Sequence, residues 1–141
     1  MSQDPEVYLQ VPADMAYLPC IGHFAKALFT RYPGLQLRED ELAYNLELVV
    51  YEACSNVIRH AYPEHEQGKL ELKLWLSPHK ITIQVLDYGP GFNPQEVPDP
   101  DLNDPQIGGM GLYIIKNIAD RVEYSSEPGT RANILQLEKD F

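Results

Sequence analysis

The chain has 141 residues, the size of one domain, and its 44% hydrophobic and 23% charged residues exclude collagen-like, mucin-like and wholly disordered classes. Lys and Arg number 11 against 21 Asp and Glu, a formal net charge of -10 that repels the phosphate backbone of nucleic acid and favours basic protein surfaces or an anion neutralised by a metal ion. Cys20 and Cys54 form no CxxC pair and sit among apolar residues, which predicts reduced core thiols, and the histidines show no HExxH or HxH spacing. The start of the chain has no basic segment followed by an apolar run, and no stretch approaches the ~20 apolar residues that span a bilayer, so a cytoplasmic protein without nucleic-acid or membrane partners is expected.

Residues 6–11 (EVYLQV) read as an opening strand closed by Pro12, with Asp14 as cap of a following helix. Tyr17, Leu18, Ile21, Phe24, Ala25 and Leu28 recur at three- and four-residue steps along that helix, and Pro33-Gly34 stops it. A second helix is predicted over 39–61, with Leu42, Leu46, Val49, Val50, Ala53 and Val57 on one stripe and Pro63 beyond its end. Residues 69–76 alternate polar and apolar, residues 81–86 are β-branched and aliphatic, and Ser77-Pro78-His79-Lys80 turns between them, so an antiparallel hairpin is predicted.

That hairpin runs into Asp87-Tyr-Gly-Pro-Gly-Phe92, whose glycines permit close approach of a ligand to the backbone. Residues 93–107 are rich in Pro and Asp without periodicity, which predicts a mobile surface loop. Gly108-Gly-Met-Gly-Leu112 then opens a helix over 113–122, and strands around 122–125 and 131–138 form a final hairpin.

Chemistry concentrates in three of these places. At about 100° per residue, Asn45, Glu52, Asn56 and Arg59 share an arc of roughly 60° on the second helix, with apolar residues on both flanks, the pattern of a ridge lining a cleft. Glu52 and Asn56, four apart, aim a carboxylate and an amide oxygen the same way, a combination suited to a hard cation and a hydroxyl, although such a pair alone is ordinarily just solvated. Asp87 at a strand end ordinarily bonds its own turn; in a glycine-lined pocket it suits an exocyclic amine. Gly108, Gly109 and Gly111 before a helix offer free amides and a positive dipole end to phosphate. Neither the Walker pattern nor GxGxxG is present.

Together and in this order, Glu52-Ala-Cys-Ser-Asn56-Val-Ile-Arg59-His60-Ala-Tyr62, Asp87-Tyr-Gly89-Pro-Gly91 and Gly108-Gly-Met-Gly111-Leu112 resemble the three nucleotide motifs of the GHKL superfamily. The short chain, the ending Arg-His-Ala-Tyr and the late Gly129-Thr130 look most like bacterial anti-sigma factor serine/threonine kinases. The resemblance spans roughly the whole domain and implies a single domain over residues 1–141 with an α/β two-layer sandwich of Bergerat type, helices packed on one face of a mixed β-sheet.

It further implies ATP and Mg²⁺ as cofactors. In that likeness Asn56 coordinates the metal, Asp87 hydrogen-bonds the adenine amine, and Gly89 and Gly91 shape the adenine pocket. Thr130 supports an adenine-side water, Gly108, Gly109, Gly111 and Leu112 make up the phosphate turn, and Glu52 is the general base. Residues 92–107 become an ATP lid; they contain no Lys or Arg, so charge on the triphosphate must be offset by metal and amides, with Arg59 or Lys116 as further candidates. The partners implied are a small anti-sigma-factor antagonist as phospho-acceptor, a sigma factor, and a second copy in a homodimer. The alternative is a nucleotide-responsive protein-binding module of the same fold without phosphoryl transfer, against which the carboxylate of Glu52 speaks.

Overall fold

A computed structural model describes residues 3–32, 40–62, 67–90, 110–127 and 129–141. In chain order they form β1 (Val7–Pro12), a single 3₁₀ turn (Met15–Tyr17), α1 (Leu18–Arg31), α2 (Asp40–His60), β2 (Lys69–Ser77), β3 (Lys80–Asp87), α3 (Met110–Ile118), β4 (Arg121–Glu127) and β5 (Ala132–Asp140). The strands make one sheet in the order β1-β2-β3-β5-β4. Every pairing is antiparallel, where a mixed sheet was expected: β1, β2 and β3 run up and down in turn, and β5 returns between β3 and β4.

Register explains the two layers. Leu72 stands opposite Val85 and Val85 opposite Leu135, while Leu74, Ile83 and Leu137 form the next row. Because side chains alternate across a strand, these rows share one face. All six are buried, and they meet Leu46, Val49, Val50, Ala53, Cys54 and Val57 of α2. Removing each such side chain from water contributes about 1.5–3 kcal/mol. Helix α2 lies between α1 and α3 and reaches β2 and β3 beneath. Among the described residues no helix is long and apolar enough to cross a membrane.

Some sequence expectations shift. Asp14 caps the 3₁₀ turn, its Oδ1 accepting from the Ala16 amide at 2.9 Å, so the helix proper starts at Leu18 and Tyr17 is left exposed. The buried side of α1 is Leu18, Ile21, Gly22, Ala25 and Phe29, which turns Cys20 outward; of the two expected core thiols only Cys54 is buried, and burial pushes its pKa up to about 12. Helix α3 starts at Met110 and stops at Ile118, three residues before and four short of the expected span. The Asp120 amide donates to the Glu138 carbonyl at 2.9 Å, and Val122 pairs with Leu137, so the chain has already joined the sheet there. The expected lid at 92–107 lies outside the described residues.

Candidate active site

With its apolar stripe committed to the core, α2 leaves Glu52 and Asn56 half-buried at the margin that faces α3. Gly111, in the first turn of α3, closes on both. A methyl group built on Gly111 would stand 2.6 Å from Oε2 of Glu52 and 3.1 Å from Nδ2 of Asn56. Glycine is therefore demanded here by close approach, since a side-chain carbon would have to displace the acid.

Nδ2 of Asn56 is buried and has no hydrogen-bond partner among the described residues. A buried amide left unpaired costs about 1–3 kcal/mol, so the position calls for a ligand oxygen or water. Burial pushes the Glu52 carboxyl above the usual range, and the Arg59 guanidinium draws it part of the way back. An acid and an amide one turn apart fit a hydrated Mg²⁺, which takes one or two protein ligands and completes its shell with phosphate oxygens and water. Among the described residues no cluster of three His, Cys, Asp or Glu exists that would hold a metal by itself.

The second half of the site grows from the end of β3. Asp87, 1% exposed, stands opposite Asn133 of β5 in register. Its Oδ1 accepts from Nδ2 of Asn133 at 2.8 Å and from the Gly89 amide at 3.2 Å. Burial raises the Asp87 pKa, and these two donors pull against that rise by favouring the charged form. Gly89 lies flat on the end of α2: a methyl group there would stand 2.2 Å from the Ala61 carbonyl oxygen and 2.9 Å from the Tyr62 ring. The Tyr62 hydroxyl donates to the Lys69 carbonyl at 2.6 Å and accepts from the Tyr88 amide at 2.9 Å, tying the helix end to both β2 and β3.

Gly111 thus meets α2 at residues 52 and 56, and Gly89 meets the chain at residue 61. At 1.5 Å per residue the two contacts lie about 7–14 Å apart along the axis, a separation on the scale of an extended nucleotide.

The expected site residues are not all brought to this cleft. Glu52, Asn56 and Gly111 converge, and Asp87 and Gly89 share one turn. Leu112 is 6% exposed and belongs to the hydrophobic core. Thr130 is exposed in the β4–β5 turn, where its Oγ1 accepts from the Ala132 amide at 3.3 Å; the side chain on Asp87 is that of Asn133. Gly91, Gly108 and Gly109 lie outside the described residues. Sequence reading missed Asn133, Ser126 and the bridging hydroxyl of Tyr62. A signal for Asn133 existed: it shares parity with Leu135 and Leu137, which marks an amide pointing into the core.

A profile of the histidine kinase-like ATPase domain matches residues 11–139. The chain belongs to the histidine kinase-like ATPase family. Among curated proteins, this family member is 24% identical over 131 residues to the serine-protein kinase RsbW of Bacillus subtilis, covering 87% of this chain and 79% of that one. The serine-protein kinases RsbW of Listeria monocytogenes and Staphylococcus aureus are each 26% identical, over 132 and 147 residues, covering 88% and 98% of this chain and 82% and 90% of theirs.

Proposed function

We propose that this ATPase-family chain is a serine/threonine protein kinase that transfers the γ-phosphoryl group of ATP to a small anti-sigma-factor antagonist, and that it sequesters a sigma factor, as a homodimer, when free of that antagonist. The observation that carries the reading is the approach of Gly111 to Glu52 and Asn56, which sets a carboxylate of raised basicity beside the N-terminus of a helix. A helix start favours phosphate, and among the described residues the charge that acts on this half-buried carboxylate is Arg59. The relatives, serine-protein kinases by name, support the same chemistry.

In this reading Asp87 receives the adenine amine and the amides at the start of α3 hold phosphate oxygens. The acceptor hydroxyl gives its proton to Glu52 as its oxygen bonds the γ-phosphorus, and the bond to the β–γ bridging oxygen breaks to release ADP. Asn56 holds the Mg²⁺ site; the ion, when bound, offsets phosphate charge. Positioning supplies most of the rate in such a transfer. The acidic chain suits the basic patches of a DNA-binding partner.

Incubation with labelled ATP, Mg²⁺ and candidate antagonists tests the proposal. Wild type is expected to label the antagonist on a hydroxyl residue, Glu52→Ala to bind ATP without transfer. ATP binding with no transfer by wild type to any antagonist rejects the kinase role; transfer left unchanged by Glu52→Ala rejects Glu52 as its general base.

A further inference from the structure

The amide of Asn133 has no idle hydrogen-bonding group. One N–H goes to Oδ1 of Asp87 and the other to the Gly89 carbonyl, both at 2.8 Å, while its Oδ1 accepts from the Ser126 hydroxyl at 3.0 Å. Turning the amide over would set its oxygen against a carboxylate and a carbonyl, so the orientation is dictated by its neighbours. Asn133 is 7% exposed and Asp87 1%, which makes each of these bonds costly to lose.

The arrangement acts on Asp87 in two ways. Among the described residues, the hydrogen bonds to this carboxylate all arrive at Oδ1, from Asn133 and Gly89. That orients the group and leaves Oδ2 for a ligand. Two donors on one oxygen also favour the ionised acid. An ionised carboxylate can only accept, so it pairs with the exocyclic amine of a 6-aminopurine and repels the carbonyl of a 6-oxopurine. A protonated acid would lose that distinction, because its hydroxyl can donate to the carbonyl.

Resting on the ATP reading above, we propose that Asn133, oriented by Ser126, is the positioning residue that makes this site select 6-aminopurine over 6-oxopurine nucleotides by acting on Asp87. Asn133 does not touch the nucleotide; it works through the acid that does.

Calorimetric titration with ATP and with inosine triphosphate, which replaces the 6-amino group by an oxo group, reads the proposal directly. Wild type is expected to prefer ATP by about 100-fold or more, the range in which a site built to pair with one group rejects its analogue. Asn133→Ala should cut that ratio about tenfold, mostly through weaker ATP binding. Asn133→Asp places a second carboxyl beside the first, so the pair retains a proton and the ratio should fall close to one. Ser126→Ala, which keeps the amide and loses only its anchor, should reduce the ratio about two- to fivefold and carries the test if the Asn133 variants do not fold, folding being judged by near-ultraviolet circular dichroism.

A merely structural role predicts that ATP and inosine triphosphate lose affinity by the same factor. A folded Asn133→Ala, or in its absence Ser126→Ala, that keeps the wild-type ratio overturns this inference alone. Wild type that binds neither nucleotide overturns the ATP reading and this inference with it.

Discussion

Replacing Gly111 by alanine should separate stability from activity. Real side-chain carbons essentially never approach another heavy atom within 3.0 Å, and the new methyl would stand 2.6 Å from Oε2 of Glu52, so the carboxylate must retreat by at least 0.4 Å. The same methyl presses on the Asn56 amide at 3.1 Å. For folding this is inexpensive, because the nearer atom is the tip of a flexible side chain, and alanine in a helix gains up to about 1 kcal/mol over glycine. The melting temperature should hold or rise by a few degrees, as about 1 kcal/mol does in a domain of this size. For phosphoryl transfer it is expensive: displacement of a reacting group on the scale of an ångström costs about 100-fold in rate. Melting curves and single-turnover transfer from labelled ATP, run side by side on Gly111→Ala, check both halves. A stable variant with wild-type transfer would show that Glu52 and Asn56 are not aligned with the phosphates by Gly111.

Three further outcomes follow from the same geometry. Asp87→Asn, which removes the charge and reverses part of the hydrogen bonding at a buried position, should weaken ATP binding at least tenfold by calorimetry; undiminished affinity would contradict its place at the base. If Glu52 is the base of the proposed transfer it must be ionised to accept a proton, and burial has raised its pKa, so transfer should rise with pH through that raised value; Arg59→Ala removes the group that lowers it, so the acid limb of the rate profile should move to higher pH, and a limb that stays put refutes the coupling. Tyr62→Phe removes the partner of the Tyr88 amide and the Lys69 carbonyl, groups that are part-exposed, and should cost about 0.5–1.5 kcal/mol in urea unfolding, with faster exchange of the Tyr88 amide proton; an unchanged midpoint would mean water replaces the hydroxyl freely.

What the sequence made legible, and what it hid, follows from the range over which each signal acts. The stripe from Leu46 to Val57 placed Glu52 and Asn56 together on one helix because 3.6-residue periodicity is local. The hairpin turn at Ser77–Lys80 and the glycine turns were equally local. The antiparallel course of the whole sheet was not, since it depends on β5 entering between β3 and β4, a pairing that joins residues 46 to 60 positions apart. Asn133 was hidden for that reason: its partner Asp87 is a neighbour across strands and not along the chain. Cys20 misled because apolar neighbours in sequence are not neighbours on a helix face. Thr130 drew attention through its likeness to a family motif, and its hydroxyl accepts from its own turn with its proton left over for another partner.

The placement of β5 also bears on how the protein is made. Strand β3, which carries Asp87, forms the middle of the sheet only after residues 132–140 have been synthesised and have emerged. Until then the nascent chain presents an unprotected strand edge beside an acid that lacks the Asn133 side chain and has only the Gly89 amide to steady it. Nucleotide that needs the Asp87–Asn133 pair cannot lend its binding energy to an intermediate without β5, so rescue by ligand should begin only once residues 132–140 can pair with β3.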